Sequence, residues 1–178
     1  MAEIDTPNIY LIGPMGSGKT AVGRQLARLL RLDFYDSDVE IERRTGVDIP
    51  YIFEREGEAG FREREREVID LLTEMRNVVV ATGGGVVIQQ HNRERLAATG
   101  KVVYLKTGVE QQLDRTKHGR QRPLLYNDDP EATLRKLMVV RAPLYESIAA
   151  ITVVTDGRHV RAVAEEVMQQ LQQPPVTA

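Results

Sequence analysis

The chain has 178 residues, 42% hydrophobic and 28% charged, the size and balance of one ordinary domain with a sizeable core. A formal net charge of −2 with no long basic block argues against nucleic acid as the main partner. The lack of cysteine excludes disulfides, thiolate catalysis and cysteine-ligated zinc, while His91, His118 and His159 have spacings that match no familiar metal cluster.

At the start of the chain, MAEIDTPN lacks a basic region followed by an apolar core and reads as no signal peptide. No apolar run reaches the length needed to span a bilayer, so a cytoplasmic protein without membrane partners is expected. Residues 8–13 (NIYLIG) form a short apolar run bounded by proline and glycine, which predicts a strand. A glycine-rich turn follows, and then TAVGRQLARLL, where Val22, Leu26, Leu29 and Leu30 recur at helical spacing. Strand, tight loop and helix open a βαβ unit. LDFY at residue 32 predicts a further strand, followed by a helix over VEIERRTG. Runs starting at Val78, Lys101 and Ile151 (VVVATGGG, KVVYLK, ITVVTD) are continuous and β-branched, as in parallel strands buried on both faces. Helices are predicted at roughly 60–74, 89–98, 108–117, 131–148 and 158–172 between and after them. The whole is an α/β domain with a parallel sheet and helices on both faces, in one unit over 1–178. The polar, turn-rich segment 117–130 is expected to be a mobile loop, and the tail of about 173–178 to be disordered.

GPMGSGKT, residues 13–20, matches the phosphate-binding pattern G-x-x-x-x-G-K-[ST] in full, after a strand and at the opening of a helix. Its glycines allow backbone N–H groups to turn inward, and the helix N-terminus adds partial positive charge. Lys19 is then the group for the β- and γ-phosphates and Thr20 the hydroxyl for Mg²⁺. A nucleoside triphosphate site is expected. The pattern alone does not separate kinases, GTPase switches and motor ATPases. No N-K-x-D segment for reading guanine occurs, and the chain is short for a coupled mechanical domain.

A small kinase also needs an acceptor pocket, a base and a lid, and each has a candidate. Asp36 and Asp38 stand two residues apart at a predicted strand end, where doubly wound sheets bind ligands. One carboxylate there can serve Mg²⁺ and the other can take a hydroxyl proton, or Asp36 or Ser37 simply caps the next helix. Gly83, Gly84 and Gly85 permit close backbone approach to a ligand, or form an ordinary turn. Arg115, Arg120 and Arg122 lie in or beside the polar loop, where a planar guanidinium suits phosphate oxygens. The run GFREREREVID places Arg62, Glu65 and Arg66 on one helical face and Glu63 and Glu67 on another. Its i,i+4 pairs Arg62–Arg66 and Glu63–Glu67 are like-charged, which is unfavourable for a self-neutralising surface helix. The partition suits a face that presents arginine and glutamate to a small anion.

GPMGSGKT, FYDSDVEIE with RTG, the GFRERE run, TGGGVV, RPLL and RAPLY occur in the order and spacing of one family, from about Asn8 to Leu171. The chain resembles the shikimate kinases, small P-loop enzymes that phosphorylate shikimate in aromatic amino-acid biosynthesis. The resemblance implies a three-layer P-loop NTPase fold, like that of nucleoside-monophosphate kinases, with substrate-binding helices over about 36–74 and a lid over about 117–130. It implies a monomer that uses ATP, Mg²⁺ and shikimate. Gly16, Ser17, Gly18, Lys19, Thr20 and Ala21 would bind the nucleotide, with Arg115 beside the adenine, and Thr20 and Asp36 would serve the metal. Asp38, Lys19 and Arg122 would be the catalytic groups. Asp38, Arg62, Glu65, Gly83, Gly84, Gly85 and Arg141 would bind the acid, the two arginines taking its carboxylate. After the last strand the family often has an adenine-side proline; TDGRHVRAV has none, and Arg158 is the nucleotide-side candidate there. Gluconate or another small acceptor, or nucleotide binding without transfer, are the competing readings of the residues taken alone.

Overall fold

The computed structural model describes residues 6–117 and 123–173. Five parallel strands are joined by helical connections: β1 (Asn8–Ile12), β2 (Asp33–Asp36), β3 (Val78–Ala81), β4 (Gly100–Lys106) and β5 (Ile151–Val154). Their order across the sheet is β2-β3-β1-β4-β5. The register sets Ile9 against Val79 on one side of β1 and against Lys101 on the other. β1 is therefore central, and every residue of it is buried.

Strand side chains alternate in direction, so each central strand feeds two cores. Ile9, Leu11, Val79, Val103 and Leu105 pack under Val22 and Leu26 of α1 (Lys19–Leu30) and Val163 and Val167 of α7 (Val160–Gln172). Tyr10, Ile12, Val78, Val80 and Tyr104 face the other way. They meet Ile41 of α2 (Ser37–Thr45), Phe61, Val68, Ile69 and Leu72 of α3 (Ile49–Glu74), Leu96 of α4 (Gln90–Thr99) and Tyr145 of α6 (Pro130–Ile148). The result is the expected three-layer arrangement with a parallel sheet in the middle. α5 (Val109–Thr116) follows β4 and packs beside the loop after β1, where Gly16 lies against Gln112.

Two expectations change. ITVVTD is not buried on both faces: β5 is an edge strand with Thr152 and Val154 exposed. The helix expected at 60–74 begins much earlier, at Ile49, and changes direction at Gly57 (φ 69°, ψ −176°). Asp48 caps its start by accepting from the Tyr51 N–H, and Pro50 sits in the first turn. Both were readable in VDIPYIF, as was the apolar spacing of Ile49, Ile52 and Phe53.

Candidate active site

The C-terminal ends of β1, β2 and β3 open onto one rim, and two cavities lie side by side there. The first is lined by Met15, Gly16, Gly18, Lys19, Thr20, Asp36, Asp38, Thr82, Gly83, Gly84 and Arg115. Gly16 and Gly18 have φ of 77° and 88°, which residues with a Cβ rarely adopt, and this lets the loop wrap inward before α1 begins. Lys19 is buried, its Nζ donating to the carbonyls of Gly13 and Pro14 at 2.7 and 2.8 Å. Ser17 is buried beneath it and Ala21 is exposed in the first turn of α1; neither lines the cavity.

Asp36 is the helix cap that the sequence offered as one reading, and it also meets the phosphate loop. One carboxylate oxygen caps α2 by accepting from the N–H groups of Asp38 and Val39, and the other accepts from the Thr20 hydroxyl at 2.6 Å. The cap thus sets the acid beside the phosphate loop. Ser37 accepts from the Gly83 N–H at 3.0 Å, tying the start of α2 to the triglycine turn.

The second cavity is lined by Asp38, Arg62, Glu65, Gly83, Gly84, Gly85 and Arg141, the full set expected for the acid, within an apolar frame of Met15, Ile49, Phe53, Phe61, Pro123 and Leu124. The frame residues went unrecognised in the sequence, because apolar side chains around a site look like ordinary core. A Cβ on Gly85 would lie 2.4 Å from the Arg62 guanidinium, and one on Gly83 would lie 2.8 Å from the Asp38 carboxylate. Only glycine lets these polar groups come so close to the backbone.

Arg62, Glu65 and Arg141 are buried. Arg62 donates to Glu65 at 2.9 Å and reaches half-exposed Glu58 at 3.3 Å. Burial pushes the Glu65 carboxyl above its ordinary range, with Arg62 pulling the other way. Burial also lowers the Arg141 pKa, and the nearby Arg62 charge lowers it further. Buried nitrogens (Nε) of both arginines and one oxygen of Glu65 have no hydrogen-bond partner. Two crowded cations with unused donors have the chemistry to receive an anion such as a carboxylate. Arg66 does not join them. The buried stripe of α3 runs through Phe61, Arg62, Glu65, Val68 and Ile69, and Arg66, about 100° beyond Glu65, is exposed.

Arg115 donates to the Gly16 carbonyl at 3.0 Å and to the Thr155 carbonyl at 3.3 Å, spanning the phosphate loop and the end of β5. Arg158 lines neither cavity; it pairs with Glu166 at 2.6 Å and donates to the Val154 carbonyl. Arg120 and Arg122 fall outside the described residues, as does the tail beyond Gln173. Of the expected lid, residues 123–125 form a short 3₁₀ turn whose Pro123 and Leu124 border the acid-side cavity.

A phosphate-binding loop on the first strand of a parallel sheet, opening beside a small pocket with paired guanidinium groups, defines a P-loop kinase of small molecules. The family model for shikimate kinase matches residues 15–172, and the chain belongs to that family. A shikimate kinase of Halorhodospira halophila is 56% identical over 176 residues, covering 98% of this chain and 99% of that protein. One from Legionella pneumophila is 51% identical, covering 96% and 98%. The structure of shikimate kinase from Acinetobacter baumannii in complex with shikimate superposes with a TM-score of 0.94 at 50% identity, covering 97% of this chain and 96% of that one. A gluconokinase from Sinorhizobium meliloti, at 16% identity and a TM-score of 0.61, shares the fold alone.

Proposed function

We propose that the protein transfers the γ-phosphoryl group of ATP to a hydroxyl of shikimate, giving shikimate 3-phosphate for the biosynthesis of chorismate and aromatic amino acids. The observation that carries this reading is the common wall of the two cavities: Met15, Asp38, Gly83 and Gly84 line both. A phosphate held on one side and a hydroxyl held on the other can meet there. Catalysis is then chiefly positioning and charge stabilisation.

Arg62 and Arg141 hold the acid's carboxylate through charge-assisted hydrogen bonds, with Glu65 and the backbone of Gly83, Gly84 and Gly85 completing the pocket. Asp38 orients the acceptor hydroxyl. The acceptor oxygen bonds to the γ-phosphorus as the bond to the bridging β–γ oxygen breaks; the hydroxyl proton passes to Asp38 and ADP leaves. Lys19 and Arg122 offset charge on the transferring group, and the backbone from Gly16 to Ala21 cradles the phosphates. Arg115 lies beside the adenine, with Arg158 at the edge of that subsite. Closure of the 117–130 segment excludes water and limits ATP hydrolysis.

The donor set fits Mg²⁺. Thr20 and Asp36 offer hard oxygens side by side, and no group of three His, Cys, Asp or Glu side chains forms a protein cage among the described residues. Mg²⁺ characteristically takes one or two protein oxygens and completes its shell with phosphate and water. Thr20 and Asp36 would hold it, and when bound it supplies charge neutralisation at the β- and γ-phosphate oxygens. The same reading has the chain acting as one kinase domain, a cytoplasmic monomer with small molecules as its only partners.

An assay of ADP release with a panel of acceptors tests the proposal. Release should depend on shikimate and stay at background with gluconate, with a nucleoside monophosphate and with no acceptor. Acceptor-independent release, or release with gluconate in place of shikimate, would refute it.

A further inference from the structure

Tyr145, one helical turn beyond Arg141 on α6, is fully buried, and its hydroxyl donates to the carbonyl of Gly84. Its ring stacks on that of Tyr104 from β4, with centroids 5.0 Å apart. The Tyr104 hydroxyl is also buried but has no hydrogen-bond partner, so the two phenols are not equivalent. Gly84 is a crowded junction. A Cβ there would lie 3.2 Å from the Met15 nitrogen in the phosphate loop, 3.6 Å from the Gly13 carbonyl and 3.6 Å from the Arg141 guanidinium. The Tyr145 hydroxyl therefore grips, from the core side, the wall that the phosphate and acid cavities share.

We infer that Tyr145 is a positioning residue for the acid: its hydroxyl fixes Gly84, and through it the triglycine turn, at the spacing from Arg141 that the substrate requires. Two observations favour this over an ordinary core tyrosine satisfying its own hydroxyl. The acceptor is a backbone carbonyl of the cavity wall and not of the sheet. The same helix also carries the carboxylate-binding Arg141, so one rigid element sets both the cation and the wall facing it. The Arg141 guanidinium neighbours the phenol, and burial raises the Tyr145 pKa, which keeps the hydroxyl protonated as a donor. The inference rests on the proposed shikimate reading.

The test is steady-state kinetics on the full chain with ATP and shikimate, each varied in turn, alongside thermal melting. For Tyr145→Phe the KM for shikimate should rise about tenfold, while the KM for ATP stays within about twofold. Tyr104→Phe, which removes the phenol without a partner, should leave both KM values at those of the unsubstituted protein. 4-Fluorophenylalanine at position 145 keeps the ring and a small para atom but cannot donate, and should raise the KM for shikimate as Tyr145→Phe does. That variant carries the test on its own should Tyr145→Phe not fold, and a shikimate KM equal to that of the unsubstituted protein would then overturn the inference. An unchanged shikimate KM in Tyr145→Phe, equal rises in both KM values, or an equal effect of Tyr104→Phe would each overturn it as well. If the unsubstituted protein does not phosphorylate shikimate, the functional reading fails first, so the two failures are distinct.

Discussion

Asp36 and Asp38 stand two residues apart and do different work, because a helix begins between them. Asp36 is held by the α2 N–H groups and the Thr20 hydroxyl, whereas Asp38 points into the wall between the two cavities. As the proposed base, Asp38 should be sensitive to loss of basicity alone. Asp38→Asn is expected to lower kcat by about 10²- to 10⁴-fold with little change in the KM for ATP. A modest rise in the shikimate KM at undiminished kcat would make it a binding group instead. Glu65 gives a pH dependence of stability. Its folded pKa is raised by burial, so the unfolded chain releases this proton more easily. Its contribution to stability is complete below the ordinary glutamate pKa of 4.5 and is lost as pH rises through the folded value. The melting temperature of Glu65→Gln minus that of the unsubstituted protein should therefore become more positive from pH 4.5 upward. A flat or falling difference would mean that Arg62 dominates and Glu65 is ionised throughout.

At the scale of elements, α3 builds the acid-side pocket from two helical pieces set at an angle. Ile49 and Phe53 line the pocket from before the break and Phe61, Arg62 and Glu65 from after it. Gly57, between them, has a backbone conformation essentially reserved for glycine, and the bidentate Arg64–Glu56 pair bridges the break on the outside. A Cβ there would meet no neighbouring atom within 4 Å, so the cost of substitution is backbone strain alone. Gly57→Ala should lose about 1–3 kcal/mol in urea unfolding. It should also raise the shikimate KM through the shifted angle between the pieces. Unchanged stability would show that the break tolerates an ordinary conformation. The glycine was visible in EREGEAGFRERE, but the break was not: a glycine within a helical pattern also reads as a tolerated helix residue. The alternating charges were more legible. The like-charged Arg62–Arg66 and Glu63–Glu67 pairs pointed to a face that is not simply solvated, and Arg62 and Glu65 do turn inward to line a cavity. Only the register of the buried stripe excluded Arg66.

Over the whole molecule, the acid-side site is assembled from segments far apart in the chain, with Arg62 on α3 and Arg141 on α6. If both grip one carboxylate, their effects should not be independent. Arg62→Lys and Arg141→Lys should each raise the shikimate KM by about tenfold or more, and the double variant by less than the product of the two. Strict multiplicativity would indicate two separate anion contacts. The sequence by itself determined the phosphate loop, the parallel α/β architecture and the family, because these rest on local signals: glycines at fixed spacing, β-branched runs and ordered motifs. Tertiary structure alone decided that Asp36 both caps a helix and meets Thr20. It also decided that β5 is an edge, that α3 bends at Gly57, and that Tyr145 reaches the Gly84 carbonyl. The Thr20–Asp36 and Tyr145–Gly84 contacts join residues 16 and 61 positions apart, and the pattern of either segment alone carries no record of which surface the other will cover.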